Sequence, residues 1–251
     1  MIRKLQALRS FRGATFAVGV FVATLFALAG EKAAYAQAQQ FGDQGQLTFT
    51  AENLFGISFN RVSAWNDTTT VANTSTHYGF LYSNDLGNSD NLTTPRGPWI
   101  GGHYFVIPNL SVGGTLGIES TTQSVTRETG GTSTTTQGAT TSGFVILPKA
   151  GYSLVLTPIM AFWFRGGLGF TRRGTSNPNN DNGSAFTAWF LSADALFVVT
   201  PVHAVGFYVG PQGNLSFTGS ASTTTNGQTT SISASFQSFS IDVGVLANFN
   251  L

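Results

Sequence analysis

Apolar and polar residues alternate along most of this chain with a period of two, the spacing of side chains on the two faces of a β-strand. The pattern is cleanest from Ser240 to Leu251. Ile241, Val243, Val245, Ala247, Phe249 and Leu251 share one parity, Ser240, Asp242, Gly244, Asn248 and Asn250 the other, and Leu246 is the only misfit. An apolar strand with an unpaired edge is an aggregation hazard, and pairing the last strand with the first removes it. Gln46 to Asn60 supplies that partner, with Leu47, Phe49, Ala51, Phe55, Ile57 and Phe59 on one face and Thr48, Thr50, Glu52, Gly56, Ser58 and Asn60 on the other. Asn53 and Leu54 break the alternation and predict a bulge.

Six further strands lie between these two. They are Trp99 to Ile107, Leu110 to Glu119, Phe144 to Val155, a fifth carrying Phe162, Phe164, Leu168 and Phe170, a sixth carrying Trp189, Leu191, Ala193, Ala195 and Phe197, and a seventh carrying Val205, Phe207 and Val209. Short turns at Pro108-Asn109, Thr157-Pro158 and Thr200-Pro201 alternate with long polar segments, Arg61–Arg96, Thr121–Ser142, Arg172–Ser184 and Thr218–Ser231, which read as loops. An aromatic island in the first of these, His77 to Tyr82, predicts a short hairpin or a fold back onto the rim. The Ser/Thr/Gly-rich second segment reads as mobile in water. Short connections at one end and long ones at the other are the habit of membrane-spanning barrels. A soluble jelly roll has no reason to sort its loops by length. The expected fold is all-β, an eight-stranded antiparallel up-and-down transmembrane barrel occupying residues 46–251 as one domain.

Composition agrees with a surrounding that is not water. Charged residues make up 9% of the chain against roughly a quarter in soluble domains, while Gly (30) and Phe (22) are abundant. Residues 1–36 read as a cleaved signal peptide: Arg3, Lys4, Arg9 and Arg12 precede an apolar run from Ala14 to Ala29, and Ala34-Tyr35-Ala36 is a small-x-small cleavage site, with Ala36-Gln37-Ala38 as the alternative. A retained anchor helix is the other reading of that run, which is short for a bilayer. Residues 37–45 then form a short N-terminal segment. Removing Arg3, Lys4, Arg9, Arg12 and Lys32 against Glu31 takes away a net +4, so the whole-chain +1 becomes −3. Lys149 and six arginines are the remaining cations, too few for a nucleic-acid surface. The absence of cysteine excludes a disulfide framework and a lipidated N-terminal Cys.

Asp242, Gly244, Ala247, Phe249 and Leu251, spaced as they are near the C-terminus, resemble the assembly signal of bacterial outer-membrane β-barrels. With the strand pattern, the stretch from about Gln46 to Leu251 resembles the small eight-stranded barrels of the OmpA and OmpX type. In that family the terminal residue is usually aromatic, whereas here Leu251 follows Phe249 by two. The resemblance implies a porin-like barrel in the Gram-negative outer membrane, exposed at the cell surface, with outer-membrane lipid, lipopolysaccharide and the barrel assembly machinery as partners. No cofactor is expected.

If lipid takes the apolar face, the polar parity points inward. Glu52, Glu119, Lys149, Arg165, Asp194 and Asp242 are then interior. At about 2.5 Å of height per tilted residue, all but the somewhat higher Glu119 lie roughly 15 to 23 Å above the periplasmic rim. Strand opposition in a ring of eight places Glu52 across from Arg165 and Asp242 across from Lys149. An interior of this size is filled by side chains, so the charges read as an ion-pair plug in preference to a gated or leaky pore.

Catalysis has little to build on. Lipid-modifying barrel enzymes of similar size need a His with a Ser and a carboxylate near the outer rim. His77 falls in a loop and His203 at a periplasmic turn, while His103 lies in a strand whose facing the sequence leaves open. The His residues are too dispersed for a metal site. Two functions remain: a barrel presenting long polar loops for adhesion, interaction or envelope integrity, or a narrow passive channel for water, ions or very small solutes, with inward Gly and Ser leaving room for the second.

Overall fold

The structure, a computed structural model, describes residues 40–65, 70–80, 99–129, 132–177 and 182–251. It contains β1 (Gln46–Trp65), β2 (Thr70–Phe80), β3 (Trp99–Ile107), β4 (Leu110–Thr129), β5 (Thr132–Thr157), β6 (Met160–Ser176), β7 (Gly183–Val202), β8 (Val205–Thr225) and β9 (Gln228–Asn250). From β3 to β9 each strand pairs antiparallel with the next, and β1 pairs with both β3 and β9, closing a ring of eight positions. The fold is an eight-stranded up-and-down barrel. β2 is additional: β3 takes Leu47–Glu52 of β1, and β2 takes Phe55–Trp65 along the same edge, continuing the wall above β3.

The interruption at Asn53 is a bulge. Ala51 opposes Val245 and Phe55 opposes Val243, so Glu52, Asn53 and Leu54 face Gly244 alone. Two extra residues preserve parity, which is why Glu52 and Ser58 still share the inner face. Asn53 takes up the geometry with φ of 58°, a left-handed conformation that Asn tolerates better than most side chains.

Most of the predicted polar loops are strand. β4 and β5 carry pairing through Thr129 and Thr132, so the described residues of the segment read as a polar loop, 121–129 and 132–142, form a hairpin wall. β6 and β7 approach within Ser176 and Gly183, and β8 and β9 meet at Asn226-Gly227, both with positive φ. β1 likewise runs on to Trp65, and the part of the aromatic island from His77 to Phe80 lies in β2, a hairpin with β1. Leu81 and Tyr82 lie outside the described residues, as do residues 1–36, expected from the sequence to be a signal peptide. The third turn falls at His203-Ala204, since β7 continues through Pro201 to Val202. The physical reason is common to all these cases. Polarity on both faces reports water on both sides, while ladder hydrogen bonds and β-branched Thr keep the backbone extended. Threonine hydroxyls pair across the wall at Thr122–Thr140 (3.3 Å), Thr141–Thr175 (2.9 Å) and Thr224–Thr229 (2.8 Å).

The faces are inverted relative to a water-soluble protein. Phe55, Ile57, Phe164, Leu191, Phe207 and Ile241 are exposed on the outside, whereas Glu52, Lys149, Arg165 and Asp194 are buried inside. So large an exposed apolar surface requires an apolar partner.

Candidate functional site: the barrel interior

Parity puts one inward side chain on every second residue, and at mid-height four of these are charged. Arg165 on β6 donates from Nη1 to Glu52 Oε1 (2.6 Å), from Nε to Asp194 Oδ1 (2.7 Å) and from Nη2 to Asp194 Oδ2 (3.1 Å). Lys149 on β5 donates to Asp194 Oδ2 (2.8 Å) and lies 3.6 Å from Glu52 Oε2. Arg165 and Asp194 are register neighbours, but the contacts to Glu52 on β1 cross the lumen. Thr50 and Thr115 hydroxyls add donors to Glu52 (3.0 and 3.4 Å). Two cations balance two carboxylates, with side chains no more than 4% exposed. Charges so far from water are tolerable because each is paired and hydrogen-bonded.

The other two inward carboxylates sit elsewhere. Asp242 on β9 accepts from Ser240 Oγ (2.7 Å), and Lys149 bonds Glu52 and Asp194 instead of it. Opposition by strand number does not fix height in a staggered barrel, and Asp194 reaches the ammonium first. Glu119 pairs with Arg173, which donates from Nε (2.9 Å) and Nη2 (3.0 Å) to its two oxygens. Arg173 belongs to the stretch read as loop from sequence. Continuation of β6 to Ser176 brings it inside.

Below the charges the lumen is closed by Phe105, Trp163, Leu196, Val198, Tyr208 and Leu246, joined by Phe41 from the N-terminal segment. Leu246, the parity misfit, is thus an inward plug residue. Phe41 meets Phe105 (5.4 Å between ring centroids) and Trp163 (5.2 Å) edge-on. Its segment is tied down by Asn109 N–H to Gly42 O (2.8 Å) and Gly45 N–H to Phe105 O (2.9 Å). Gly42 has φ of 98°, and a Cβ there would strike Ser153 Oγ. Trp163 Nε1 donates to Ser111 Oγ (3.2 Å), and the Arg165 guanidinium stacks over the Trp163 ring at 4.6 Å.

Above the charges a second apolar layer gathers Trp99, Val145, Leu147, Phe186, Phe190 and Phe236. Three inward glycines, expected to leave room for solutes, are covered by rings of the two apolar layers. A Cβ on Gly117 would meet Trp99, one on Gly169 would meet Phe190, and one on Gly244 would meet Tyr208. Both apolar layers escaped the sequence reading, which assigned apolar residues to the lipid face. The available signal was the run around Phe186-Thr187-Ala188-Trp189-Phe190-Leu191, apolar on both parities.

His103 points inward, fully buried and edge-on to Trp163 at 4.8 Å, with no protein partner at either ring nitrogen. His203 lies at the turn between β7 and β8, 3.0 Å from Asn250 Nδ2, and the His77 side chain is outside the described residues. Among the described residues no group of three or more His, Cys, Asp or Glu could hold a metal. At the C-terminus Phe249 packs edge-on against Phe49 of β1 (5.9 Å). Ala247 sits between Phe49 and Val205 in the ladders, Gly244 faces the β1 bulge, and Leu251 is exposed.

No family model matches this chain, and no curated protein does. Among solved structures it is similar to the outer membrane protein AlkL in lipid bilayers, with a TM-score of 0.50 at 10% identity over 86% of this chain and 96% of AlkL. The fold is that of a small outer-membrane β-barrel. Two other such barrels are similar at lower scores. OprG from Pseudomonas aeruginosa has a TM-score of 0.48 at 8% identity over 85% of this chain and 100% of its own. Neisserial surface protein A has a TM-score of 0.43 at 13% identity over 82% and 100%. The interior of the present barrel is layered: apolar, charged, apolar.

Proposed function

We propose that this chain is exported by a signal peptide, residues 1–36, and resides in the bacterial outer membrane as a closed barrel whose work is done by the walls standing above the bilayer. The observation that carries this reading is the triple-layered lumen. A conducting path would have to cross the aromatic stopper at Phe41 and Trp163, a neutral ion-pair cluster and the layer around Phe190 and Phe236. The outward apolar residues of β9 run from Phe249 to Phe239 before Gln237, about the height of a hydrocarbon core at 2.5 Å per residue. β4 continues from Ser120 to Thr129 beyond its own apolar part, which lifts that hairpin roughly 25 Å further. Such Ser/Thr-rich walls offer hydroxyls and backbone edges to an extracellular partner. Insertion depends on the C-terminal strand and the barrel assembly machinery, and no catalytic residue is assigned. Replacing the tops of the β4–β5 and β8–β9 hairpins by short turns tests the reading in cells expressing the protein. Surface-dependent behaviour such as cell–cell or cell–matrix attachment should fall while small-solute permeability stays constant. A change in permeability with attachment unaltered would contradict it.

A further inference from the structure

His103 is a buried titratable group that takes no part in the charge cluster. Neither ring nitrogen has a protein partner, and the hydroxyls on the adjoining strands are engaged elsewhere. Thr48, its register partner on β1, donates to Asn248 (2.8 Å), while Ser111 on β4 accepts from Trp163 and donates to Gly151 O. Opposite on β4 stands Gly113, with no side chain, and Lys149 follows in the same row on β5. The charges that act on the imidazole are Glu52 of β1, Lys149 of β5, Arg165 of β6 and Asp194 of β7. Both of these carboxylates are already bonded by the two cations. Of the other titratable groups inside, Tyr208 of β8 donates to Ala51 O and Asp242 of β9 accepts from Ser240. A proton on His103 would therefore add a third cation to a neutral cluster.

The ring that His103 touches is also the seat of the N-terminal segment. Trp163 meets His103 at 4.8 Å, Phe41 at 5.2 Å and the Arg165 guanidinium at 4.6 Å. Residues 40–45 lie across the barrel floor as a strap. Phe41 is its apolar peg, and backbone bonds hold it at Gly42 O from Asn109, at Gly45 N–H to Phe105 O and at Gly45 O from Leu251. Phe105 is two residues from His103 on β3, so the strap and the imidazole share both a strand and an aromatic neighbour. The carboxylate in the strap, Asp43, accepts from Gln40 N–H (2.9 Å).

We propose that His103 makes the seating of this strap pH-dependent, acid releasing Phe41 from the barrel floor. Withdrawal of Phe41 uncovers Trp163 and lets water reach the imidazole behind it. The seated state has no place for the added charge, whereas a hydrated imidazole takes its proton at about pH 6.5. The sign follows from linkage: the released state binds the extra proton, so it gains on the seated state about tenfold per pH unit below roughly pH 6 and gains nothing above pH 7. The upper layer around Phe190 and Phe236 consists of apolar side chains and does not titrate. Release of the strap therefore leaves the lumen shut.

The test is amide hydrogen exchange of the refolded protein in nanodiscs, which detects rare local opening, read by NMR at Gly45 and Asn109 and corrected for the intrinsic pH dependence of exchange. Protection at both should fall by roughly a hundredfold between pH 6.5 and pH 4.5, while the ladder amides joining β7 and β8 keep theirs, and it should return on neutralisation. His103→Phe keeps an aromatic ring against Trp163 and removes the titration, so its strap should be equally protected at both pH values. His103→Gln gives a second non-titrating side chain should the first variant fail to fold. Phe41→Ala should expose the two amides at every pH, and Asp43→Asn should respond as wild type does. Unchanged wild-type protection at Gly45 and Asn109, a response that survives loss of the imidazole, or one abolished by Asp43→Asn would each overturn the proposal. Equal loss at the ladder amides would mean acid unfolding of the barrel and would overturn it too.

Discussion

Arg165 is the residue on which the interior turns, because it hydrogen-bonds both carboxylates and also stacks on Trp163. Deleting one member of a buried ion pair leaves its partner uncompensated, at a cost of about 3 to 5 kcal/mol. Arg165→Ala and Glu52→Ala should each lower the unfolding midpoint in denaturant, and the double variant should lose less than the sum. Strict additivity would mean that the two do not meet across the lumen. A second residue-scale expectation concerns space. Gly169→Leu would drive a side chain into the Phe190 ring, so its unfolding midpoint should fall as for an overpacked core, by the equivalent of roughly 1 to 3 kcal/mol. Parity made Glu52, Lys149, Arg165 and Asp194 legible as inward residues before any coordinates. Their pairing was less so, since stagger decides which carboxylate an ammonium meets, and Lys149 meets Asp194 and not Asp242. Arg173 was hidden because its surroundings looked like loop.

At the scale of elements, the parts of the strands that sequence revealed are those lying against lipid. There one face must be apolar, so alternation marks the strand and its ends. Above that level both faces are wet, the alternation vanishes, and Ser/Thr-rich β4 and β5 read as loop although their ladder continues to Thr129 and Thr132. Asn226-Gly227 was a readable exception: an Asn-Gly pair between two runs is a strong hairpin signal. The last element also carries assembly. Phe249→Asp would set a charge against Phe49 on the lipid face, so the variant should be exported but fail to insert, seen as periplasmic material without heat-modifiable migration. Normal insertion would argue against a role for Phe249 in assembly.

Across the whole molecule, the alternation of short and long connections determined topology and closure, because only an up-and-down ring sorts them so. What lay beyond reach was the closing of the lumen by apolar layers, including the stopper from residues 40–45, since nothing local in Gln40–Gly45 announces that Phe41 enters the barrel. Topology itself is open to protease. In intact cells, external trypsin should cut near the hairpin tip at Arg127 and leave Lys149 intact, as read by mass spectrometry of the released peptides, and early cleavage at Lys149 would invert or abolish the barrel. The closed interior is tested most directly by single-channel recording of the purified, refolded protein in a planar bilayer. The layered plug predicts a silent membrane for the wild type, and discrete, sustained openings of the unmodified protein would contradict it.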